Sequence, residues 1–235
     1  MNVIQRIFGV IFSPVKTMAD ISKKSNFAIA LIIIIAITTL FSIITYSDYK
    51  DFAMDQAKLS IEKLEEKGTD LPEKSKEAIL EMSKKTAPIT PIITIVSSIV
   101  MFFILAGISM LFLKVILKGE GTFISYLSVI IYASIVGMLG ILLKIGLYLY
   151  TKDYTLVIYC TTLRGILPNN NEQNFINTFT TGIEIFNIWS YIIIGIGLKA
   201  VSKLSTIKVV SYISGIYIIY MLFMLLSAAG TLISG

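Results

Sequence analysis

The chain has 235 residues, of which 55% are hydrophobic and only 15% charged, and its net charge is +5. It has one cysteine, Cys160, and no histidine, which excludes an intramolecular disulfide and removes the commonest general base and metal ligand. Five stretches carry one charge or none, and each is long enough to cross a hydrocarbon core of about 30 Å, which takes about 20 residues. We therefore predict an all-α, polytopic membrane helix bundle.

Basic residues concentrate in the segments that would share one side of the membrane. With a cytoplasmic N-terminus, the inner segments hold nine basic and two acidic residues, against 11 basic and 13 acidic residues elsewhere. The positive-inside rule then predicts a multi-pass plasma-membrane protein with its N-terminus in the cytoplasm and its C-terminus outside. The same distribution attributes the positive charge to orientation and lipid contact, and it argues against nucleic-acid binding.

Residues 1–26 are predicted to form an amphipathic segment on the cytoplasmic face. Apolar side chains recur at helical spacing on one face, opposite Asn2, Gln5, Arg6 and Gly9; they are Val3, Ile4, Ile7, Phe8 and Ile11. Ser13-Pro14 then indicates the start of a second helix. A frayed tail is the alternative interpretation.

Residues 27–235 are predicted to form a five-span membrane domain. The expected spans are 27–46, 92–116, 122–146, 175–198 and 209–233. Between the first two, residues 48–91 hold eight lysines and ten acidic residues, which predicts an external helical hairpin with its turn at Gly68. A polar turn is predicted at residues 169–171.

Glu184 is the most informative polar residue, because it interrupts the fourth predicted span. It precedes Lys199 by 15 residues, or about 22 Å of helix, which places its carboxylate in the outer hydrocarbon. It could be a substrate or proton site, or a structural carboxylate paired with Lys144 or with headgroups. Asn187, Trp189 and Ser190 follow it; we interpret them as helix-packing groups, with a ligand site as the alternative.

Small residues on two predicted spans indicate faces where helices approach closely. They are Ala133, Gly137 and Gly140 on the third span, and Ser211 and Gly215 on the fifth. No nucleophile, zinc or phosphate-loop motif occurs, so we predict no catalytic residues, no metal and no cofactor.

Several short motifs, in order, resemble the bacterial branch of the Yip1 domain family of Ypt-interacting proteins. They are Ile11-Phe12-Ser13-Pro14, Gly119-Glu120-Gly121-Thr122-Phe123, Tyr132-Ala133-Ser134, Glu184-Ile185-Phe186-Asn187-Ile188-Trp189, Gly195-Ile196-Gly197-Leu198-Lys199 and Val201-Ser202-Lys203-Leu204-Ser205. The chain has Ile135-Val136 where family members often have a proline. The resemblance implies a five-span fold. Eukaryotic relatives bind Rab-type GTPases and one another, and some bacterial members resemble accessory subunits of ABC exporters.

These observations lead to one main hypothesis and two alternatives. The main hypothesis is a non-enzymatic membrane scaffold or accessory subunit whose partners are the lipid bilayer and other membrane proteins, including ABC transporter subunits or further copies of itself. The first alternative is a small permease or lipid-handling channel that uses Glu184. The second, a membrane enzyme, has little to build on without histidine.

Overall fold

The computed structural model describes residues 1–66, 68, 71–167 and 175–233. In this part of the chain the ordered elements are helices, and one isolated bridge joins Thr162 to Glu184. The α-helices are α1 (Val3–Phe12), α2 (Pro14–Lys23), α3 (Ala28–Ile44), α4 (Tyr46–Glu66), α5 (Glu73–Thr86), α6 (Thr90–Met110), α7 (Phe123–Thr151), α8 (Tyr154–Tyr159), α9 (Phe175–Thr181), α10 (Ile185–Ser202) and α11 (Thr206–Ile233). A π-helical turn, Leu111–Ile116, continues α6, and a 3₁₀ turn, Leu163–Ile166, follows α8.

Helix α7 forms the core of the bundle. It packs against α1, α2, α3, α6, α8 and α10, and its side chains are buried without interruption from Ser125 to Ala133. A helix that is apolar and buried on all sides belongs to the interior. It is uninterrupted through Ile135 and Val136, and it extends five residues beyond the predicted end of the third span.

The all-α polytopic bundle predicted from the sequence is confirmed. Within the described residues, four helices are long and apolar enough to cross a membrane, and there are five spans if α3 and α4 are counted as one bent span. The two helices meet at Thr45 with a bend of 71°. Helix α3 alone has 17 residues, about 26 Å at 1.5 Å per residue, which is slightly shorter than the hydrocarbon core.

The fourth span begins later than residue 175, where the apolar run predicted it. The short helix α9 ends at Thr181, and the spanning helix α10 starts at Ile185. Between them the backbone pairs with the loop after α8: Leu163 N–H donates to the Ile183 carbonyl at 2.8 Å, and Ile185 N–H donates to the Thr161 carbonyl at 3.1 Å. This pairing takes up the backbone groups that would otherwise continue the helix. The predicted turn at 169–171 lies outside the described residues.

Helices α4 and α5 form a hairpin whose turn contains Gly68 at φ +81°, as the sequence indicates. Lys76 Nζ lies 2.5 Å from Glu65 Oε1, and the Ser83 hydroxyl donates to the Ala53 carbonyl at 3.2 Å across the two helices. The hairpin meets the bundle mainly at α8, where the Tyr154 ring packs edge-on against Phe52 with centroids 5.4 Å apart.

Helix α1 packs against the protein on a face that contains Arg6, and much of its apolar face stays exposed. Arg6, placed on the polar face by the sequence, is 4% exposed, whereas Ile4 and Phe8 are largely exposed. The Arg6 guanidinium binds Asp20 Oδ2 at 2.8 Å and lies 5.9 Å from the centre of the Tyr132 ring. An ion pair and a cation–π contact therefore compensate for burying this charge.

The turn between α6 and α7 interlocks with the end of α10. Glu120 N–H donates to the Ser202 carbonyl at 2.9 Å, the Tyr126 hydroxyl donates to the Glu120 carbonyl at 2.7 Å, and the Glu120 carboxylate lies 2.6 Å from Lys203 Nζ. Gly121 has φ +102°, and a Cβ there would overlap the Val201 side chain. This position requires glycine both for its backbone conformation and for space.

We predict that Gly121→Ala lowers stability by about 1–3 kcal/mol, because alanine is strained at this φ and must displace Val201. The matched control is Gly137→Ala, where a Cβ would meet no atom within 4 Å. The thermal unfolding midpoint in mild detergent measures both. Equal midpoints for the two variants would contradict a special role for Gly121.

A second prediction concerns Asp20. Burial raises the pKa of Asp20, but hydrogen bonds from the N-terminal ammonium and from Arg6 lower it by more. The pKa of Asp20 therefore lies below its usual value. We expect Asp20→Asn to cost roughly 2 kcal/mol, because it leaves the Arg6 charge buried without its carboxylate partner.

The pH dependence of this pair has a definite sign. Because the folded-state pKa is depressed, the stabilisation is present above about pH 4 and is lost as the pH falls through the folded-state value. Thermal unfolding at neutral and acidic pH measures it. Asp55→Asn, which removes an exposed partner of Lys58, is the control and should change stability by under about 0.5 kcal/mol. A wild-type advantage over Asp20→Asn that does not shrink as the pH is lowered below about 4 would contradict this account.

Candidate functional site

Glu184 lies at the N-terminus of α10 and not within a span. Its backbone is extended, and its Oε2 accepts a hydrogen bond from the Asn187 N–H at 2.7 Å. This is the geometry of a helix N-cap, in which a side-chain oxygen satisfies a backbone donor that has no partner in the helix. The placement within a continuous helix, expected from the distance to Lys199, is therefore corrected.

Lys144 and Glu184 both lie near Cys160, at the same end of the bundle. Burial raises the pKa of the Cys160 thiol, the Lys144 charge lowers it, and the Glu184 charge raises it. Although the structure brings the lysine and the carboxylate into one neighbourhood, it places no ion pair between these two described residues. A raised pKa keeps the thiol protonated at neutral pH, where it is a poor nucleophile.

The other polar residues at the start of α10 point in different directions. Asn187 is exposed, whereas Ser190 is buried. Trp189 is half-buried and stacks on Phe186 with ring centroids 6.4 Å apart. These three side chains do not converge on one point.

The small residues that were predicted to pack helices fall into two groups. Ala133 is fully buried, and a Cβ at Gly140 would lie 2.8 Å from the Phe186 ring, so both lie where α7 meets its neighbours. Gly137 and Gly215 have open space where a Cβ would be, and Ser211 is exposed. In the part of the chain that the structure describes, this second group is therefore not at a close helix contact.

A long apolar groove, which we call the α10–α11 groove, runs between α10 and α11, with α2 closing one side of one end. Its volume is about 840 Å³, within the range of small-molecule sites in proteins. Its walls are mainly aliphatic, and Val15 and Ala19 contribute the α2 side. At the end next to the α10–α11 turn it is lined by Lys199, Lys203 and Thr206, and at the opposite end by Tyr191 and Tyr217.

A buried hydrogen bond fixes α11 on the side of α6. The Tyr212 hydroxyl donates to the Ser109 hydroxyl oxygen at 2.8 Å, and the Tyr212 ring stacks on Phe112 at 5.2 Å. Hydroxyl bonds of this kind join membrane helices. These contacts hold α11 against the α6 side of the bundle.

Sequence reasoning did not find the groove. The sequence indicates the groove only through small residues, which are Gly195 and Ala200 on α10 and Ser214 on α11, and through Lys199 and Lys203 near the end of α10. Small residues on neighbouring helices are equally typical of tight packing. Only the geometry of the two helices distinguishes an open groove from a closed contact.

Comparison with known proteins identifies one family that matches most of the chain. The family model described as the Yip1 domain matches residues 8–228. The chain is similar to the "Membrane protein YknW" of Bacillus subtilis (strain 168), with 31% identity over 111 residues. That match covers 43% of this chain and 46% of the relative, so it spans less than half of each protein. No solved structure gives a significant match.

The capping geometry predicts how Glu184 responds to substitution. Glu184→Ala removes the acceptor for the Asn187 N–H and should cost about 1 kcal/mol, whereas Glu184→Gln keeps a carbonyl oxygen and should cost under about 0.5 kcal/mol. Thermal unfolding of the purified variants in detergent measures the difference. If Gln destabilises as much as Ala, the negative charge matters rather than the cap.

Proposed function

The chain belongs to the Yip1 domain family, and from that premise we propose that it is a non-enzymatic membrane scaffold or accessory subunit that binds other membrane proteins. ABC exporter subunits are the partner class that the resemblance of bacterial members suggests. A second copy of the chain is the other partner that we include.

The observation that carries this proposal is the α4–α5 hairpin. Its internal contacts, such as Lys76 with Glu65, hold its two helices together, and its contact with the bundle centres on α8. Ile61 on α4 is buried, whereas Met82 on α5 is 68% exposed and follows the exposed Glu81 in the sequence. A hairpin of mixed charge with an exposed methionine suits binding to a polypeptide better than binding to an anionic lipid surface.

The spanning helices α6 and α11 supply a second line of support. In the most apolar 18-residue stretch of α6 and its π-helical continuation, only 17% is buried within the chain. In the corresponding stretch of α11, only 11% is buried. Both helices therefore leave long apolar faces to their surroundings, and neighbouring spans bind such faces through close packing. This exposure is compatible with lipid contact as well, so the hairpin is the stronger support.

We further propose the orientation that the positive-inside rule predicts, with the N-terminus in the cytoplasm and the C-terminus outside. The Glu120–Lys203 ion pair brings the α6–α7 and α10–α11 turns to one end of the bundle. Helix α2 reaches the same region, because Val15 and Ala19 border the groove beside Lys199. Basic loops from three parts of the chain thus share one face, as that orientation requires.

The permease alternative has no comparable support. Glu184 caps α10 through the Asn187 N–H and does not line the α10–α11 groove. A transport pathway that depends on this carboxylate would have to pass outside that groove.

Site-specific crosslinking in intact membranes tests the scaffold proposal. A photoreactive amino acid at Met82 should crosslink the chain to another integral membrane protein, identified by mass spectrometry, or to a second copy. The matched control is the same probe at Ile61, which is 7% exposed and should react only within the hairpin.

Two outcomes would count against the proposal. One is the absence of any crosslinked product, so that the chain keeps its monomer mass, both with the probe at Met82 and with the probe at the exposed hairpin residue Glu81. The other is recovery of the chain alone from mild detergent at every expression level.

A further inference from the structure

We propose that the α10–α11 groove binds one anionic phospholipid of the adjacent leaflet, with an acyl chain along the groove and the phosphate at Lys199 and Lys203. This inference does not depend on the scaffold proposal, because the groove and the α4–α5 hairpin are separate surfaces.

The length of the groove matches one leaflet. On α11 its lining runs from Thr206 to Ile218, or 12 residue steps, which is about 18 Å at 1.5 Å per residue. Half of a hydrocarbon core of about 30 Å is about 15 Å. A transmembrane helix of a partner needs the whole thickness, whereas a lipid tail needs only its own leaflet. The groove is therefore sized for a lipid.

Aromatic rings lie at the far end of the groove. Tyr191 and Tyr217 meet edge-on with centroids 5.4 Å apart, and Tyr220 lies behind them at 6.1 Å from Tyr217. The Tyr220 hydroxyl donates to the Gly182 carbonyl at 3.2 Å, which fixes this cluster to the segment before α10. These tyrosines lie near the depth at which an acyl chain of one leaflet would end.

The walls of the groove have the chemistry of a hydrocarbon site. Ile192, Ile196, Val210 and Ile213 line its sides. Gly195 lies between these walls, and a Cβ added there would be 3.7 Å from Ile213, an ordinary van der Waals distance. The lining that the structure describes contains charge only at the end beside the α10–α11 turn. An occupant that is apolar along its length and charged at one end fits this pattern.

The charge at the open end selects an anionic headgroup. Lys199 is exposed, and no carboxylate of the described residues lies within 4 Å of its Nζ. Lys203 contacts Glu120 at 2.6 Å, with both side chains more than half exposed, so a phosphate can compete for it. A headgroup that carries its own ammonium would compensate less of this positive charge than phosphatidylglycerol would.

Native mass spectrometry of the full chain, titrated in detergent with phosphatidylglycerol or phosphatidylcholine, tests the proposal. Wild type should retain one phosphatidylglycerol in preference to phosphatidylcholine. The double variant Lys199→Gln/Lys203→Gln should lose about tenfold or more in phosphatidylglycerol affinity. Lys208→Gln, an exposed lysine near the same turn that does not line the groove, is the matched control and should bind as wild type does.

Filling the groove tests the position of the tail. Gly195→Leu should abolish retention of both lipids, whereas Gly146→Leu, where a Cβ would meet nothing within 4 Å, should not. Circular dichroism checks that each variant is folded, and Ala200→Leu replaces Gly195→Leu if that variant is not.

Three results would overturn the inference. The first is equal loss of affinity in Lys208→Gln and in the double variant, which would indicate general electrostatic attraction. The second is wild-type lipid retention by a folded groove-filled variant. The third is failure of wild type to retain more phosphatidylglycerol than that variant does. Because the experiment uses the purified chain, its failure would leave the scaffold proposal unaffected.

Discussion

Close packing around α7 positions the other parts of this protein that matter for function. Interior helices in proteins pack to the density of organic crystals, so a large side chain at a contact must be matched by a small one opposite. Gly197 of α10 faces Val129 of α7, and Gly140 of α7 faces the Phe186 ring of α10. These two contacts fix α10 along most of its length, and α10 in turn forms one wall of the groove.

The same packing determines what remains open. Helix α11 is anchored by the Tyr212–Ser109 hydrogen bond on one side and by the tyrosine cluster near Tyr191 on the other. Between these anchors, α10 and α11 border the groove. The chain thus keeps a rigid interior and places its accessible apolar space at the periphery, where lipid reaches it directly.

Much of the architecture could be predicted from sequence, because the length of an apolar run is a direct measure of a span in lipid. The hairpin turn at Gly68 and the helix start at Pro14 were predicted from local chemistry, and the structure has both. The start of α10 could not be, because it is determined by the backbone pairing of Thr161 and Leu163 with residues 20 positions away or more. A mainly apolar run gives no sign of such a nonlocal contact.

The functional surfaces were less predictable than the fold, for a related reason. The helical spacing predicts Arg6 on the polar face of α1, whereas in the structure Arg6 is buried and pairs with Asp20, 14 residues later. Glu184 appeared to be a buried carboxylate because its helix was assumed to begin earlier. The groove depends on the separation of two helices, which residue spacing along one helix does not encode.

The bend at Thr45 has a consequence for any protein that approaches the hairpin. Helix α4 leaves α3 at 71°, so if α3 follows the bilayer normal, α4 runs within about 20° of the membrane plane. With that geometry, the hairpin would lie along the headgroups instead of reaching into the aqueous phase. A soluble protein could then reach only the side of the hairpin that faces away from the lipid. A molecule anchored in the same bilayer would approach the hairpin along the membrane plane and would already be at its depth.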